Sequence, residues 1–308
     1  MHVPVMLAES IEGLALSPGS VVADLTLGGA GHAEAILAGL GAEGVFIGID
    51  RDPLAIERAR KRLKGFDCAN VNLRQANFSQ IKAVAADLGV GELDAVLVDL
   101  GVSSFQLETP ERGFSFRLNG PLDMRMDPGA TLTAEQIVNR YEESEIAEIL
   151  YRFGEERAAR RIAKAIVAER GDRRIDSTIG LAEIIAKAKN GRRGRIHPAT
   201  KSFMALRMAV NDELGSLEAC LEDSLELLRP GGRMVVISFH SLEDRMVKKI
   251  FREHRGRSIS LHAGGERWEG RHPRVELIVR KPIEAGRDEL RENPRARSAK
   301  LRIVERCA

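Results

Sequence analysis

The chain has 308 residues, is 44% hydrophobic and 30% charged, and carries a net charge of +2. That length buries one large core or two smaller ones, and near neutrality gives no global field that would demand a nucleic acid. No apolar run is long enough to span a bilayer, and "MHVPVMLAES" lacks the basic and apolar regions of a signal peptide. Cys68, Cys220 and Cys307 are far apart and odd in number, which argues against a disulfide framework and a cysteine-based zinc site. A cytoplasmic protein with no membrane partner is expected.

The first hundred residues alternate between strand and helix patterns. "SVVADL" is an apolar run ending at an acid, and "HAEAILAGLG" has helical spacing and stops at glycine. "GVFIGID" predicts a second strand ending at Asp50, and "PLAIERARKRLKG" a helix with Pro53 in its first turn and Gly65 after it. "VNLRQANF" predicts a third strand, "SQIKAVAADLG" a third helix and "LDAVLVDLG" a fourth strand. This rhythm predicts a parallel sheet with helices on its faces. Ligands of such sheets sit outside the carboxyl ends of the strands. Attention therefore falls on the loop Leu27 to His32, on Asp50, on Phe78 and on Asp99.

The loop in "DLTLGGAGH" separates two cofactor classes. A dinucleotide needs G-x-G-x-x-G/A with its pyrophosphate on the helix N-terminus. Gly29-Ala30-Gly31 supplies the first part, but Glu34 stands where the third glycine belongs, and its carboxylate would oppose a phosphate. A nucleoside cofactor without phosphates fits better: its cationic end would pass over bare backbone, and Asp50 would take the ribose hydroxyls. That description points to S-adenosylmethionine. A plain glycine turn is the simpler alternative.

After the fourth strand the rhythm stops. A polar stretch marked by glycine and proline runs to Gly129, and a helical region follows. Thr133 and Gln136 form a capping box. Ser144 opens "EIAEILYRFG", Glu155 to Arg170 shows apolar residues at helical spacing with Gly171 after it, and "LAEIIAKAK" is a further amphipathic helix. The sheet pattern then resumes with a helix in "SLEACLEDSLELLRPGG", a fifth strand in "RMVVISF", and an antiparallel pair from "RVELIVRKP" and "AKLRIVERC". Arg255 to Arg274 reads as a mobile loop. Between Glu183 and Asp212 there is no acid, while "KNGRRGRIHPATK" is rich in cations. A run of one sign on a loop suits a polyanion, as does the second basic run from Arg245 to Arg257. The seven histidines show no metal-ligand spacing.

The stretch "DLGVSSFQLETPERGFSFRLNGPLDMRMDP" resembles the signature of the MraW family, the S-adenosylmethionine-dependent N4-cytosine methyltransferases of small-subunit (16S) ribosomal RNA. "HVPVML", "TLGGAGH", "GIDRDPLAI", "ANFSQ", "GEERAARRIAKAI", "HPATKSFMALRMAVNDEL", "RPGGRMVVISFHSLEDR" and "ENPRARSAKLRI" extend the resemblance over nearly the whole chain, in order. Ala30 departs from it where the family usually has glycine, and Phe105 where proline is frequent.

The resemblance implies a class I, Rossmann-like α/β methyltransferase with a parallel sheet and a terminal antiparallel strand, interrupted by a helical insertion. The methyltransferase domain would comprise residues 1–106 and 209–308, and the insertion, 107–208, would recognise RNA. The implied reaction is methylation of the N4 amine of a cytidine in the decoding region during ribosome maturation. The implied partner is small-subunit ribosomal RNA or the assembled small subunit, with a homodimer left open. The implied cofactor shell is Ala30, Gly31, His32, Asp50, Phe78, Asp99 and Gln106. Asp99 would hold the methionine end of the cofactor, contact the target amine, or both. His240 is a second catalytic candidate and Ser238 a substrate-side one. Arg192, Arg193, Arg195 and His197 are the RNA candidates, and no metal is expected. A nicotinamide oxidoreductase, a DNA N4-cytosine methyltransferase and a non-catalytic assembly factor are the competing readings.

Overall fold

A computed structural model describes residues 4–66, 70–190, 196–260, 266–269 and 273–308. Two compact units make up the chain: Met1–Gly101 with Leu214–Ala308, and Val102–Glu213.

The first unit opens with α1 (Leu7–Leu14), β1 (Val21–Asp24), α2 (Gly31–Leu40), β2 (Val45–Asp50) and α3 (Pro53–Arg62). Then come β3 (Asn70–Gln75), a 3-10 turn over Phe78–Gln80 that leads into α4 (Ile81–Asp87), and β4 (Leu93–Asp99). The second unit is helical, with α5 (Ser104–Glu108), α6 (Ala134–Arg140), α7 (Glu143–Gly154), α8 (Ala159–Asp172), α9 (Thr178–Ala188) and α10 (Thr200–Val210). The chain returns through α11 (Glu213–Leu227) to β5 (Leu228–Ser238) and α12 (Ser241–Arg255). It ends with β6 (Arg257–Ser260), β7 (Glu266–Glu269), β8 (Val275–Leu277), β9 (Ile283–Glu284), α13 (Arg287–Glu292) and β10 (Lys300–Arg306).

The large sheet has the order β3-β2-β1-β4-β5-β10-β8, with β9 also on β10. Its β1 to β5 portion is parallel, and β10 runs antiparallel to β5, β8 and β9. The period of two along each strand divides the core. Ala95, Leu97, Val235 and Ile237 face one layer with residues of α1, α2 and α3. Val96, Val98, Met234 and Val236 face the other with residues of α4, α11 and α12. Both faces are covered, so the strands read as continuous apolar runs. Between β1 and β4 the chain order reverses direction, the place where sheets of this kind take their ligands.

In the second unit, Ile137, Ile146, Leu150, Ile162, Leu181, Ile185 and Leu206 are fully buried in one cluster. The α6 capping box is present, with the Thr133 hydroxyl accepting from the Gln136 amide and the Gln136 side chain accepting from the Thr133 amide. Three local expectations are corrected. Helix α7 starts at Glu143 and uses Glu142 as its cap, with the Glu145 carboxylate accepting from the Glu142 amide at 2.8 Å. Ser144 lies inside the helix. Glu155 takes a left-handed conformation (φ 46°) that ends α7, and α8 runs from Ala159 through Gly171 to Asp172. Within Arg255–Arg274, β6 and β7 pair antiparallel, a ladder that the surrounding glycines and arginines do not announce.

Buried Asn211 ties the end of the signature stretch to α10. Its Oδ1 accepts from the Met126 amide at 2.7 Å, and its Nδ2 donates to the carbonyls of Met124 at 2.7 Å and Arg207 at 2.8 Å. Asn211→Ala should lower stability by on the order of 2–4 kcal/mol, since it strands a buried amide and a buried carbonyl. Denaturant unfolding followed by circular dichroism checks this, and a loss under about 0.5 kcal/mol would contradict it.

Candidate active site

The strand order brings together acids that are distant in sequence. Asp24 ends β1, Asp50 ends β2 and Asp99 ends β4, and these strands are neighbours with β1 in the middle. Asp24 is buried, and its Oδ1 accepts from the Thr26 amide at 3.1 Å. Burial pushes its carboxyl up to about 7, and the charge of Asp50 adds to the effect against the hydrogen bonds from Thr26. Asp50 Oδ2 accepts from the Gly28 amide and Oδ1 from the Asp52 amide, both at 2.8 Å. Burial raises it to about 6 despite those bonds. A carboxylate offers roughly four lone-pair directions, so Asp50 retains acceptor capacity while fixing the loop.

The loop itself is shaped from within. Gly28 and Ala30 both adopt left-handed backbone, at φ 48° and 58°. Ala30 tolerates this at a cost on the order of 1 kcal/mol, which accounts for the usual glycine there. Gly31 has a packing reason of its own: a Cβ on it would lie 2.3 Å from Pro4 Cγ. The side where a Cβ would stand receives the N-terminal segment. Glu34 is also explained. It accepts from Arg62 Nε at 3.0 Å, while Arg62 Nη1 donates to the Gly29 carbonyl at 2.8 Å, so α3 clamps the loop to α2.

Asp99 is the most unsettled of the acids. Its amide donates to Thr26 Oγ1 at 2.6 Å, but its Oδ1 is buried with no hydrogen-bond partner among the described residues. Burial, and then the charges of Asp24 and Glu243, hold its carboxyl well above the ordinary range. His32 Nε2 donates to the Val5 carbonyl at 3.0 Å, which leaves Nδ1 facing Asp99 Oδ2 at 3.7 Å. With a neutral ring a lone pair would oppose the carboxylate. The contact is favourable when one proton lies between them, on Asp99 or on Nδ1.

Other candidates fare differently. Phe78 is half-buried, and the Arg51 guanidinium lies over its ring at 5.2 Å from the centroid. Gln106 belongs to the second unit, where its Oε1 accepts from the Ser103 amide in the cap of α5. The Ser238 hydroxyl is buried and donates to the Lys300 carbonyl at 3.3 Å, which gives it a part in joining β5 to β10. His240 caps α12: its Nδ1 accepts from the Glu243 amide at 3.4 Å, and its Nε2 lies 3.0 Å from Glu243 Oε1. Nδ1 therefore serves the first turn of that helix, while Nε2 is buried without a hydrogen-bond partner among the described residues. His197 Nδ1 accepts from the Ala199 amide at 3.2 Å, and its ring packs on Phe116 with centroids 4.5 Å apart, so it starts α10. Arg192, Arg193 and Arg195 lie outside the described residues.

Sequence reasoning passed over Asp24, Thr26 and Glu243. Asp24 was visible as the acid closing the first apolar run, but its place between the other two acids depends on strand order.

A family model described as the MraW methylase family matches residues 1–307. A curated relative from Geobacter sulfurreducens named "Ribosomal RNA small subunit methyltransferase H" is 51% identical over 307 residues, covering 99% of this chain and 98% of its own. Relatives of the same name from Heliobacterium modesticaldum and Carboxydothermus hydrogenoformans are both 47% identical, covering 99% and 100% of this chain and 98% of each of theirs.

Proposed function

The chain belongs to the MraW methylase family, whose methyl donor is S-adenosylmethionine, and from that premise we propose that it methylates the N4 amine of a cytidine in the decoding region of small-subunit (16S) ribosomal RNA. The observation that carries the reading is the row of acids on adjacent strand ends, one of which, Asp99, keeps an oxygen without a partner among the described residues. Such a row disfavours anions and suits a ligand bearing a sulfonium and an ammonium. The cofactor supplies an activated methyl group. Asp50 would accept from the ribose hydroxyls with its remaining lone pairs, Phe78 would offer an aromatic face to the adenine, and the loop Ala30 to His32 with Asp99 would hold the methionine end. Gln106 completes the set by resemblance.

The N4 amine is a poor nucleophile, because its lone pair is delocalised into the ring. Displacement at a sulfonium carbon is in line, so most of the rate comes from positioning. A carboxylate oxygen that accepts from the amine would localise the lone pair as the bond forms and then take the proton. The target base must leave its stack to reach that place.

The helical unit, residues 102–213, is the proposed RNA reader, and no helix among the described residues is long and apolar enough to cross a membrane. We place the protein in the cytoplasm, where its substrate is made. Neutralising Arg192, Arg193 and Arg195 together should weaken RNA binding and flatten its dependence on salt, because each phosphate contact releases a counterion. Cofactor affinity should stay the same. An unchanged salt slope would move the RNA elsewhere. The test of the reaction is mass mapping of methylated nucleosides in ribosomal RNA from a deletion strain. One N4-methylated cytidine should disappear from the small subunit and return on complementation, and an unaltered map would reject the reading.

A further inference from the structure

Helix α12 packs against β8 and β10 at the antiparallel end of the sheet and leaves a small cleft there that opens to solvent. Phe251, Leu277, Val279 and Ile303 form its apolar floor, and Lys248, Arg252, Arg280 and Arg302 form the rest of its lining, with no acid among them. Arg302 is tied to Asp244, Nε to Oδ1 at 2.8 Å, and Lys300 reaches the same carboxylate at 3.6 Å. Lys248, Arg252 and Arg280 are exposed and show no ion pair among the described residues. The neighbouring acid Glu253 faces Lys249 at 3.9 Å.

Unbalanced charge of one sign around a single concavity raises local anion concentration. A bare phosphate would use the cations and leave the apolar floor idle, whereas a nucleotide uses both. Single-stranded nucleic acid is held in this manner, with the backbone on a basic rim and the base on an apolar or aromatic surface. The place is also suitable. Leu301 pairs with Ile237, and Ile237 pairs with Asp99. Arg302 follows Leu301, so the cleft begins two strands from Asp99, roughly 10 Å at ordinary strand spacing.

We propose that this cleft holds a nucleotide of the RNA strand that flanks the methylated base, with its phosphate on Lys248, Arg252 and Arg280 and its base on the Leu277 and Val279 floor. The assignment rests on ribosomal RNA being the substrate. It gives the sheet-bearing unit its own grip on RNA, separate from the basic run between Glu183 and Asp212.

The test compares the wild-type chain with the triple variant Lys248→Gln, Arg252→Gln, Arg280→Gln on naked small-subunit ribosomal RNA across a salt series. These side chains are exposed, so the fold should persist, and cofactor affinity by calorimetry serves as the control. The triple variant should bind RNA at least tenfold more weakly, with a salt slope smaller by about one. Val279→Ala should weaken binding a fewfold with the slope unchanged, because it touches the base and no phosphate. Equal RNA affinity and slope in the triple variant, beside a wild type that binds and methylates the RNA, would overturn the cleft alone. A wild type that neither binds nor methylates the RNA, whether naked or in the assembled small subunit, would overturn the substrate reading, and the cleft with it. Loss in the triple variant without loss in Val279→Ala would reduce the site to a phosphate contact and overturn its nucleotide character.

Discussion

Asp99→Ala should cut turnover by roughly 10²–10⁴-fold with RNA and cofactor both saturating, the range for a lost proton-transfer group. A residue that only binds the cofactor would raise the apparent KM and leave kcat nearly intact, since uniform binding does not enter kcat. The structure favours an effect on kcat for a geometric reason. Asp50 has both oxygens engaged by backbone amides and Asp24 is turned onto Thr26, whereas Asp99 keeps an oxygen without a partner among the described residues. Asp99→Asn is the informative companion. It retains an acceptor oxygen but cannot take a proton, so a smaller loss than in alanine would separate hydrogen bonding from proton acceptance. Full kcat in both variants would remove Asp99 from the chemistry.

Affinity for S-adenosylmethionine should tighten steeply as pH rises from about 5 to 7.5, by about tenfold per unit for each proton that binding expels. The ligand-free protein keeps Asp24 protonated up to about pH 7 and Asp50 up to about 6, chiefly because burial penalises their charged forms. Asp99 is also held well above its ordinary value, chiefly by burial, with Asp24 and Glu243 adding to it. A cationic ligand favours the ionised carboxylates and must displace their protons, and the three titrate as a coupled set. The folded-state values lie above the unfolded one near 4, so these acids stabilise the ligand-free fold fully below about pH 4. That contribution is lost as pH climbs through 6 to 7. Ligand-free stability and cofactor affinity should therefore move in opposite directions with pH. Calorimetry in buffers of different ionisation enthalpy counts the released protons. S-adenosylhomocysteine, which lacks the sulfonium charge, should show a shallower curve, and Asp24→Asn should flatten the response. Affinity independent of pH across this range would refute the coupling.

Much of the architecture was legible because it is written in local period. Apolar runs of strand length alternate with amphipathic helices through Asp99, and the rule that ligands gather at carboxyl ends pointed to Asp50 and Asp99 without knowledge of strand order. The strand order itself is not local. That β1 lies between β2 and β4, making Asp24 the middle acid, follows from pairing across the sheet and cannot be read from any window of sequence. The same holds for Gly31, whose missing side chain accommodates Pro4 from a separate segment. His240 and Ser238 stand in a motif after a strand; the first turn of α12 engages His240 Nδ1 and the carbonyl of Lys300 engages the Ser238 hydroxyl, partners that no local pattern announces. Glu34 argued correctly against a dinucleotide, yet its partner, Arg62, sits a full helix away on α3.

Strands β4 and β5 are hydrogen-bonded neighbours, yet the whole of Val102–Glu213 is inserted between them. At ribosomal speeds of roughly 5–20 residues per second, on the order of ten seconds separates the synthesis of the two. During that interval β4, with its run of Ala95, Val96, Leu97 and Val98, is the exposed edge of an unfinished parallel sheet. Such an edge invites pairing with other chains. The insertion, by contrast, is continuous in sequence and has its own core, so it can collapse while the sheet waits. The nascent protein should thus pass through a stage with a folded helical unit and an open sheet, and in that stage it would depend most on chaperones.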